Sequence, residues 1–304
     1  MYTFIVNPNA RTGLGLRIWR NLEALLKEWQ IKYQVCLTRY PHHATEYVRD
    51  LTAGNAALTL VALGGDGTIN EVVNGIQDFS KVTLGYIPIG SSNDFARSMK
   101  LAKDPEQILK QILSPSEYAY INIGKLVSGD SVRRFAVSAG IGFDAEVCFH
   151  NTSSRIKRWL NRLKLGKLSY TGVALFLLLA LKPRPMALTL DGRLEAFQKV
   201  FFATVMNQQY EGGGFCFCPD ADPGDDLLDL IVIADMPKLK ALLLLPTAYM
   251  GWHTRFKGVH IYTCREAVLL GSQKLPVHTD GEPVMTVPGM TCSLEPEKLR
   301  FIRG

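Results

Sequence analysis

The first 120 residues alternate between short apolar runs and segments in which apolar residues recur every three or four positions. The pattern predicts helices over residues 14–29, 42–51 and 69–76, separated by strands at YTFIVN, YQVCLT, ALTLVAL and VTLGYIP. The third run is apolar throughout, as expected of a strand inside a parallel sheet. Repeated β-α units of this length indicate a parallel sheet that is covered by helices on both faces.

Beyond about residue 121 the pattern changes to strands that are separated by turns. The runs RRFAVSAGIGFDA, MALTLDG, KVFFATVMNQQ, LLDLIVIADM and AVLLGS predict an antiparallel, mainly β second domain with helical insertions. We therefore expect an α/β fold of two domains. An N-terminal domain would span residues 1–121 and regain a tail at 292–304, and a β-rich, sandwich-like domain would span 122–291. The cleft between them is the default position for a site.

Composition adds limits to this picture. The 304 residues are 47% hydrophobic and 20% charged, which is typical of a globular chain with an ample core. The six cysteines form no CxxC pair, so we expect reduced, structural thiols. The N-terminus shows no signal-peptide pattern, and the longest apolar run, residues 168–181, is shorter than the roughly 20 residues that cross a bilayer. We therefore expect a cytoplasmic protein without a spanning helix.

The net charge of +6 is concentrated in one segment. Residues 147–190 contain no Asp or Glu and carry eight Lys and Arg residues, so the remainder of the chain sums to −2. This basic segment surrounds the apolar run at 168–181.

Three loops with suitable chemistry follow predicted strands, namely NPNARTG at residues 7–13, GGDGT at 64–68 and PIGSSNDFAR at 88–97. Ligands in open α/β sheets bind beyond the carboxyl ends of the strands, where these loops meet. The sequence contains neither a Walker A loop nor a GxGxxG fingerprint, so phosphates would have to be held in another way.

The second loop combines features of an anion site with a carboxylate. Its glycines let the main chain approach a ligand closely, and the amides of Gly67 and Thr68 at a helix start would face a phosphate. Asp66 would repel that phosphate unless a divalent cation lay between them. For GGDG alone, the alternative is a Gly-rich turn with Asp66 as the helix N-cap.

Two acidic clusters lie in the second domain. Residues 217–230, FCPDADPGDDLLDL, place five aspartates within ten positions, which suits either a bound cation or a solvated acidic turn. Residues 277–284, VHTDGEPV, contain Asp-Gly, which is also an ordinary hairpin turn signal.

The motif order NPxxxxG, GGDGTxNEVVNG, IPxGxxNDFAR, PDAxxxD and a late DGE resembles the lipid kinase family that contains bacterial diacylglycerol kinases and sphingosine and ceramide kinases. The resemblance covers essentially the whole chain. It implies Mg²⁺-dependent transfer of a phosphoryl group from ATP to a lipid hydroxyl, with diacylglycerol or a related lipid as acceptor. The family fold joins an α/β nucleotide-binding domain to a β-rich lipid-binding domain.

The resemblance implies roles for three groups of residues. The nucleotide site would comprise Asn7, Pro8, Asn9, Ala10, Arg11, Thr38, Gly64, Gly65, Asp66, Gly67, Thr68, Ile69, Asn70, Ser91, Asn93 and Asp94, of which Asp66 and Asp94 would orient Mg²⁺. A structural Mg²⁺ site would use Asp222, Asp225 and the main-chain carbonyl of Leu227. Glu282 would accept the proton of the lipid hydroxyl, and Asp280 is the alternative for that role.

Four positions depart from the family pattern. Ser91 replaces a threonine of many relatives and keeps its hydroxyl, and Gly224 with Asp226 changes an Asp-Gly order in the acidic loop. Asn122 stands where some diacylglycerol kinases have an aspartate, which leaves the charge balance of the site and the substrate open.

The resemblance also gives the basic, apolar segment at residues 155–181 a role. Its basic flank would contact anionic headgroups while its apolar run lies in the membrane interface or lines the acyl-chain pocket. The alternative is a core helix of the second domain. A second apolar stretch, LKALLLLPTAYMGW at 239–252, could share the same groove.

The expected partners are a lipid substrate and an anionic membrane surface, contacted peripherally at its cytoplasmic face, and no nucleic acid. A homodimer is compatible with the sequence. Two alternatives stay open at this point: a NAD kinase-like enzyme, which shares GGDG and the two-domain plan, and a non-catalytic lipid-binding protein. The NDFAR sequence, the basic insertion and the late DGE argue against the first, and intact acidic motifs argue against the second.

Overall fold

The computed structural model describes residues 1–142, 145 and 182–304. Its first half contains the predicted alternation of strands and helices. The strands are β1 Tyr2–Val6, β2 Tyr33–Leu37, β3 Leu58–Gly64 and β4 Val82–Pro88, and the helices are α1 Ala10–Glu28, α2 His43–Thr52, α3 Asp66–Gly75, α4 Asp94–Ser98 and α5 Pro105–Leu113.

Helix α3 begins three residues before the predicted start at residue 69. The amides of Thr68 and Ile69 both donate to the Gly65 carbonyl, over 2.9 and 3.3 Å, and so close the first turn within the GGDG motif itself. Gly65 precedes this turn in an extended conformation and is the N-cap.

The first sheet has the order β2-β1-β3-β4-β17-β5, in which β5 is Tyr118–Ile121 and β17 is Leu299–Ile302. Strands β1 to β4 and β17 are parallel, and β5 runs antiparallel at the edge. The C-terminal tail therefore enters this sheet with its last strand, whereas residues 292–294 belong to the second sheet.

Both faces of the first sheet are covered, as the apolar strands predict. Phe4 of β1 packs with Trp19 and Leu26 of α1 on one face, while Ile5 packs with Ile69 of α3 on the other. Because successive side chains of a strand point to opposite faces, one apolar strand supplies two cores.

The second sheet is antiparallel and has nine strands among the described residues, in the order β14-β13-β10-β8-β15-β16-β6-β7 with β9 beside β10 and β15. These are β6 Gly124–Ser128, β7 Ser131–Phe135, β8 Ser138–Gly142, β9 Arg184–Leu190, β10 Arg193–Met206, β13 Leu228–Ala234, β14 Val259–Cys264, β15 Ala267–Thr279 and β16 Glu282–Leu294. The predicted α/β fold with a mainly β second domain is confirmed.

A short hairpin and a helical segment complete the second domain. The hairpin pairs β11 Tyr210–Glu211 with β12 Phe215–Cys216. Helix α6, Lys238–Leu244, continues into two 3-10 helices, Leu245–Met250 and Trp252–Arg255.

The prediction of one strand over residues 133–145 is wrong, because the chain breaks between β7 and β8. The amides of Ala136, Val137 and Ser138 turn toward the carboxylate of Asp280 and bind it over 2.9, 2.8 and 3.0 Å. The side chain at position 280 thus interrupts the strand and directs β7 and β8 to different neighbours in the same sheet.

Two expectations concern compartment and membrane. In the part of the chain that the structure describes, no helix is long and apolar enough to span a bilayer. The five cysteines of that part are buried free thiols. The basic segment at 155–181 and its apolar run lie outside the described residues.

Candidate active site

The three predicted loops leave one edge of the first sheet. Strands β1, β3 and β4 are parallel neighbours in register, so Asn7, Gly65 and Ile89 follow their carboxyl ends side by side. The Asn7 amide donates to the Leu63 carbonyl over 2.9 Å, and the Ile89 amide donates to the Gly64 carbonyl over 2.7 Å. A cavity of about 870 Å³ opens in front of this edge and extends to the second domain.

Most of the predicted nucleotide residues line this cavity. They are Asn7, Asn9, Ala10, Arg11, Thr38, Gly65, Asp66, Gly67, Thr68, Asn70, Ser91 and Asp94, and Asp280 and Glu282 reach the same cavity from the second domain. Pro8, Gly64, Ile69 and Asn93 are not among the lining residues. Gly64 and Ile69 are instead buried parts of β3 and α3.

The first loop is a left-handed turn that helix α1 holds against the sheet. Arg11 and Thr12 have φ of 46° and 60°, which is costly for residues with a side chain and most costly for the β-branched Thr12. A Cβ at Gly15 would collide with the Asn7 carbonyl oxygen. The tight approach of α1 to the end of β1 therefore requires glycine there.

Glycines also join the second and third loops. A Cβ on Gly90 would lie 2.7 Å from the Gly65 Cα, and a Cβ on Gly65 would lie 3.2 Å from the Gly90 Cα. The side chain of Asn7 reaches the same place, because its Nδ2 lies 3.4 Å from the Thr68 Oγ1. The start of α3 lies at the same corner, where the N-terminus of a helix favours an anion.

Asp66 does not cap its own helix, so the simple alternative for GGDG is wrong. Its two carboxylate oxygens instead accept the amides of Asp94 and Phe95, each over 3.2 Å, and so fix the start of α4. Helix α3 has no side-chain hydrogen bond at its N-cap.

Acidic charge accumulates around Asp66. Burial raises the pKa of Asp66 to about 7, and the carboxylates of Asp94 and Asp280 add to this rise. Burial also raises the pKa of Asp94, although the amides of Gly213 and Gly214 and the Arg97 guanidinium oppose it. One oxygen of Asp94, Oδ1, is buried and has no hydrogen-bond partner among the described residues.

A bound Mg²⁺ would fit these two carboxylates. Mg²⁺ takes one or two protein carboxylates and completes its ligand set with water and substrate phosphates. The unpartnered oxygen of Asp94 and the raised pKa of Asp66 are consistent with a further positive partner beside Arg97, such as a metal ion.

The DGE motif is both a hairpin turn and part of the cavity. Asp280 and Gly281 have φ of 49° and 78°, as a two-residue type I′ turn requires, and Thr279 pairs with Glu282 across it. Asp280 is buried and accepts the Asn70 amide over 2.7 Å in addition to the three main-chain amides that break the β7–β8 strand. Burial raises the pKa of Asp280, while these donors oppose the rise.

Glu282 lies at the cavity surface, directly above the GGDG turn. Its side chain is exposed, and a Cβ added to Gly67 would lie 2.9 Å from Glu282 Oε1. The GGDG and DGE motifs, which are separated by more than 200 positions, therefore face each other, and the Glu282 carboxylate lies against Gly67 of helix α3.

A second buried network supports the same turn from inside the β domain. The Gly281 amide lies 3.2 Å from His278 Nδ1, and His278 Nε2 lies 3.5 Å from Glu211 Oε1. Ser138 Oγ donates to the same Glu211 oxygen over 2.5 Å. Sequence reasoning missed this network because its members lie in strands whose pairing cannot be read from the sequence.

Sequence reasoning also missed several residues that line the cavity. Arg39 and Tyr40 follow β2 at the same sheet edge, and Arg133 and Glu211 reach the cavity from the β domain. Arg39 could have been found, since it comes directly after Thr38 at the end of a predicted strand.

In the acidic loop of residues 218–227, the two aspartates of the predicted metal site bind main-chain amides of the same loop. Asp222 Oδ1 accepts the Gly224 amide over 2.8 Å, and Asp225 Oδ1 accepts the Leu227 amide over 2.9 Å. Within residues 1–142 and 182–304, no group of three or more His, Cys, Asp or Glu side chains is arranged to hold a metal ion. A site built from two aspartates and the main-chain carbonyl of Leu227 is not such a group, so the structural Mg²⁺ at Asp222, Asp225 and Leu227 stays a prediction.

An ammonium group contacts the same loop at Gly224 and Asp226. Lys298 Nζ donates to the Gly224 carbonyl over 2.8 Å and lies 2.9 Å from Asp226 Oδ1. The Asn122 amide both donates to Asp226 Oδ1 and accepts from its main-chain amide, over 3.0 and 3.1 Å. The hydrogen bond from Asn122 and then the contact with Lys298 lower the pKa of Asp226.

Asn122 is therefore part of the acidic loop and is not among the residues that line the cavity. Its amide can donate and accept at once, whereas an aspartate at this position would face the Asp226 carboxylate. Asn122 follows β5, and Lys298 precedes β17, so the loop is bound to both connections between the two domains.

Two sequence families match this chain. Residues 1–125 match the family described as diacylglycerol kinase catalytic domain, and residues 137–303 match the family described as YegS C-terminal NAD kinase beta sandwich-like domain.

Individual relatives cover nearly the whole chain. A Bacillus subtilis protein named "Putative lipid kinase YtlR" is 31% identical over 303 residues, which span 98% of this chain and 98% of the relative. A diacylglycerol kinase of the same organism is 30% identical over 260 residues, 81% of this chain and 80% of the relative. A solved structure described as "a putative diacylglycerol kinase from Bacillus anthracis" matches with a TM-score of 0.77 at 20% identity, over 99% of this chain and 96% of that one, which shows the fold alone.

Proposed function

The chain belongs to the family of bacterial diacylglycerol kinases and related lipid kinases, and from that membership we propose that it transfers the γ-phosphoryl group of ATP to the hydroxyl of diacylglycerol or a related lipid. The observation that carries this proposal is the position of Glu282 against Gly67 across the cavity. A carboxylate that can accept a proton there faces a loop that can bind phosphate, as phosphoryl transfer to an alcohol requires.

The first domain would bind the triphosphate through its main chain. The start of α3 and the loops after β1 and β4 line one corner of the cavity, where Gly65 and Gly90 let two loops approach each other closely. Arg11 and Arg39 line the same cavity and would add positive charge toward the phosphates. Phosphoryl transfer depends mostly on such positioning and charge neutralisation.

Asp66 and Asp94 are the residues that would hold Mg²⁺, directly or through water. When bound, the ion would neutralise charge on the phosphate oxygens during transfer. Asp66 keeps its own place through the two amides of α4, and Asp94 through the Gly213 amide over 2.7 Å. The carboxylates are thereby fixed before any ligand arrives.

Glu282 is the residue that we assign to the lipid hydroxyl. It would accept the hydroxyl proton while the lipid oxygen bonds to the γ-phosphorus and the bond from that phosphorus to the bridging oxygen of ADP breaks, so that ADP leaves and the proton passes to the carboxylate. Glu282 is exposed and lines the cavity, so an incoming lipid can reach its side chain.

Asp280 would position this turn rather than accept the proton. Both of its oxygens already accept N–H donors, four in all, from Asn70 and residues 136–138. Taking up a proton would break at least one of these hydrogen bonds in a buried place, which makes Asp280 a poor base.

The proposal is tested by incubating the purified chain with radiolabelled ATP and Mg²⁺, first with diacylglycerol and then with a panel of lipid alcohols read by mass spectrometry. NAD serves as the competing acceptor, because the second domain is of the NAD kinase beta sandwich-like type. We expect labelled lipid and no labelled nicotinamide dinucleotide. Labelled NADP without labelled lipid would refute the proposal, and absence of both products would favour a non-catalytic lipid-binding role.

A further inference from the structure

Large apolar side chains are exposed together on the helical segment of the second domain. Leu239 and Leu243 of α6 are 64% and 67% exposed, and Met250, Trp252 and Phe256 are 65%, 53% and 42% exposed. We call these five residues the apolar face. Leu239 and Leu243 lie four positions apart on one side of the helix. Exposed apolar groups of this kind mark interaction surfaces.

The segment that carries the apolar face has positive charge and no acidic residue. Between Asp235 and Glu266 the sequence contains no Asp or Glu, while Lys238, Lys240, Arg255, Lys257 and Arg265 give it a charge of +5. Apolar side chains with a tryptophan and surrounding lysines are suited to the boundary between acyl chains and anionic headgroups.

The side of the helical segment opposite the apolar face is packed against the second domain. Ala241, Leu244 and Ala248 are buried in a core that they share with the β sheet. Lys240 Nζ donates to the Lys257 carbonyl over 2.7 Å and so ties α6 to the end of the second 3-10 helix. The apolar face is thus a fixed part of the domain surface.

The helical segment packs against the β11–β12 hairpin, which also lines the cavity of the candidate active site. The Tyr249 ring stacks on Phe215 of the β11–β12 hairpin with a centroid distance of 4.2 Å, and His253 Nε2 lies 3.0 Å from the Phe217 carbonyl. On its other side, this hairpin lines the cavity with Glu211 and Gly212. One hairpin therefore separates the apolar face from the cavity.

We propose that the apolar face inserts into the surface of a bilayer that contains anionic phospholipid, which brings lipid hydroxyls from that bilayer to the cavity. The inference rests on the proposed function in so far as the lipid is the substrate. Burial of the leucines and tryptophan would stabilise the bound state, and the lysines and arginines would make it depend on headgroup charge.

The test is sedimentation of the full chain with vesicles of phosphatidylcholine and phosphatidylglycerol. The variant with Leu239→Ser and Leu243→Ser should bind at least about tenfold more weakly than wild type. Leu194→Ser is the matched control, because Leu194 is 69% exposed in the β9–β10 hairpin, outside the apolar face. Arg255→Gln with Lys257→Gln, at two exposed positions, should weaken binding by about fivefold per charge, and only to vesicles with anionic lipid.

The outcomes distinguish membrane binding by the apolar face from lipid phosphorylation. Equal vesicle binding by wild type and the leucine variant would overturn the proposal, as would loss of a dimer in the leucine variant with vesicle binding unchanged. Phosphorylation of a short-chain, water-dispersed diacylglycerol should be the same in both proteins. Loss of vesicle binding in a chain that phosphorylates no lipid would support the surface and refute the proposed activity.

Discussion

The side-chain amide of Asn70 donates to Asp280 over 2.7 Å and joins helix α3 to a turn that lies 210 positions later in the chain. Both residues are buried, and Asn70 also donates to the Arg134 carbonyl over 3.1 Å. The hydrogen bond therefore connects the phosphate-facing motif with the turn that carries Glu282. Its loss would disturb the relative position of the two sides of the cavity.

Replacing Asn70 with alanine should lower both stability and turnover. The change removes one of the four donors to Asp280 and leaves a buried carboxylate oxygen less satisfied, at a cost of about 1–3 kcal/mol in the free energy of unfolding. Turnover should fall more than tenfold, because Glu282 follows Asp280 in the turn. Urea unfolding and steady-state kinetics measure the two effects.

Asn74→Ala is the matched control for this change. Asn74 donates to the Arg134 carbonyl over 3.0 Å and to Asn70 Oδ1 over 3.3 Å from the same helix, and its hydrogen bonds in the described part of the chain do not include Asp280. Its loss should reduce stability to a similar degree while turnover stays closer to wild type. Equal loss of turnover in the two variants would show that the Asn70–Asp280 contact has no separate role.

Glu282→Gln should abolish proton acceptance while leaving the nucleotide site intact. The amide has the same shape and cannot take the hydroxyl proton, so kcat should fall by about 10²–10⁴. The dissociation constant for ATP, measured by calorimetry, should stay within about twofold of wild type, since the amides that would bind phosphate lie in the other domain. Glu297→Gln, at an exposed position, controls for the general effect of removing a carboxylate. Wild-type turnover in the Glu282 variant would remove this residue from the mechanism.

Gly67→Ala should separate stability from activity. Gly67 is the second residue of α3, so alanine should favour the helix by up to about 1 kcal/mol. The new Cβ would lie 2.9 Å from Glu282 Oε1 and should displace that carboxylate. We expect an unchanged or higher unfolding midpoint together with a tenfold or greater loss of kcat. A variant with wild-type kcat would mean that Glu282 does not need its position above the GGDG turn.

The sheet edge and its three loops could be predicted because they depend on local patterns. An apolar run of seven residues ends at Pro88 as predicted, and parallel neighbours bring the ends of β1, β3 and β4 together whatever the rest of the chain does. The motif resemblance, which used the same loops, is confirmed by the family matches and by relatives that cover the chain.

The features that could not be predicted depend on hydrogen bonds and ion pairs between residues far apart in the sequence. The strand break at Ala136 and Val137 depends on Asp280, which lies more than 140 positions later and looks like a plain turn residue in the sequence. The cation in the acidic loop comes from Lys298, a residue with no motif around it. Hydrogen-bond partners at such separations follow from the folded arrangement and leave no periodic signal.

The acidic loop should be indifferent to chelators. If Lys298 supplies its positive charge, EDTA should leave the thermal unfolding midpoint of the nucleotide-free protein unchanged. Lys298→Met should lower the midpoint by a few degrees, because it removes the ion pair with Asp226 and the hydrogen bond to Gly224. Lys103→Met, at an exposed lysine of the first domain, is the control. A thermal unfolding midpoint that falls in EDTA and recovers with Mg²⁺ would instead show that the acidic loop binds a structural metal ion.

Asp66→Asn should change how stability depends on pH. The pKa of Asp66 is raised to about 7 in the folded chain, against about 3.9 for an aspartate in an unfolded chain. Between these values the folded protein holds a proton that the unfolded chain has lost. Its contribution to stability is therefore complete below about pH 4 and disappears as the pH rises through 7.

The asparagine side chain stays neutral and avoids this loss. Its advantage over wild type in the free energy of unfolding should grow by up to about 3 kcal/mol between pH 5 and pH 8 and then level off. Urea unfolding at the two pH values, with Asp130→Asn as an exposed control, measures the difference. Mg²⁺ with nucleotide should reduce the difference at pH 8, because a cation beside Asp66 and Asp94 stabilises the charged carboxylates. Parallel pH profiles for Asp66→Asn and wild type would show that Asp66 is already ionised at neutral pH without a bound cation.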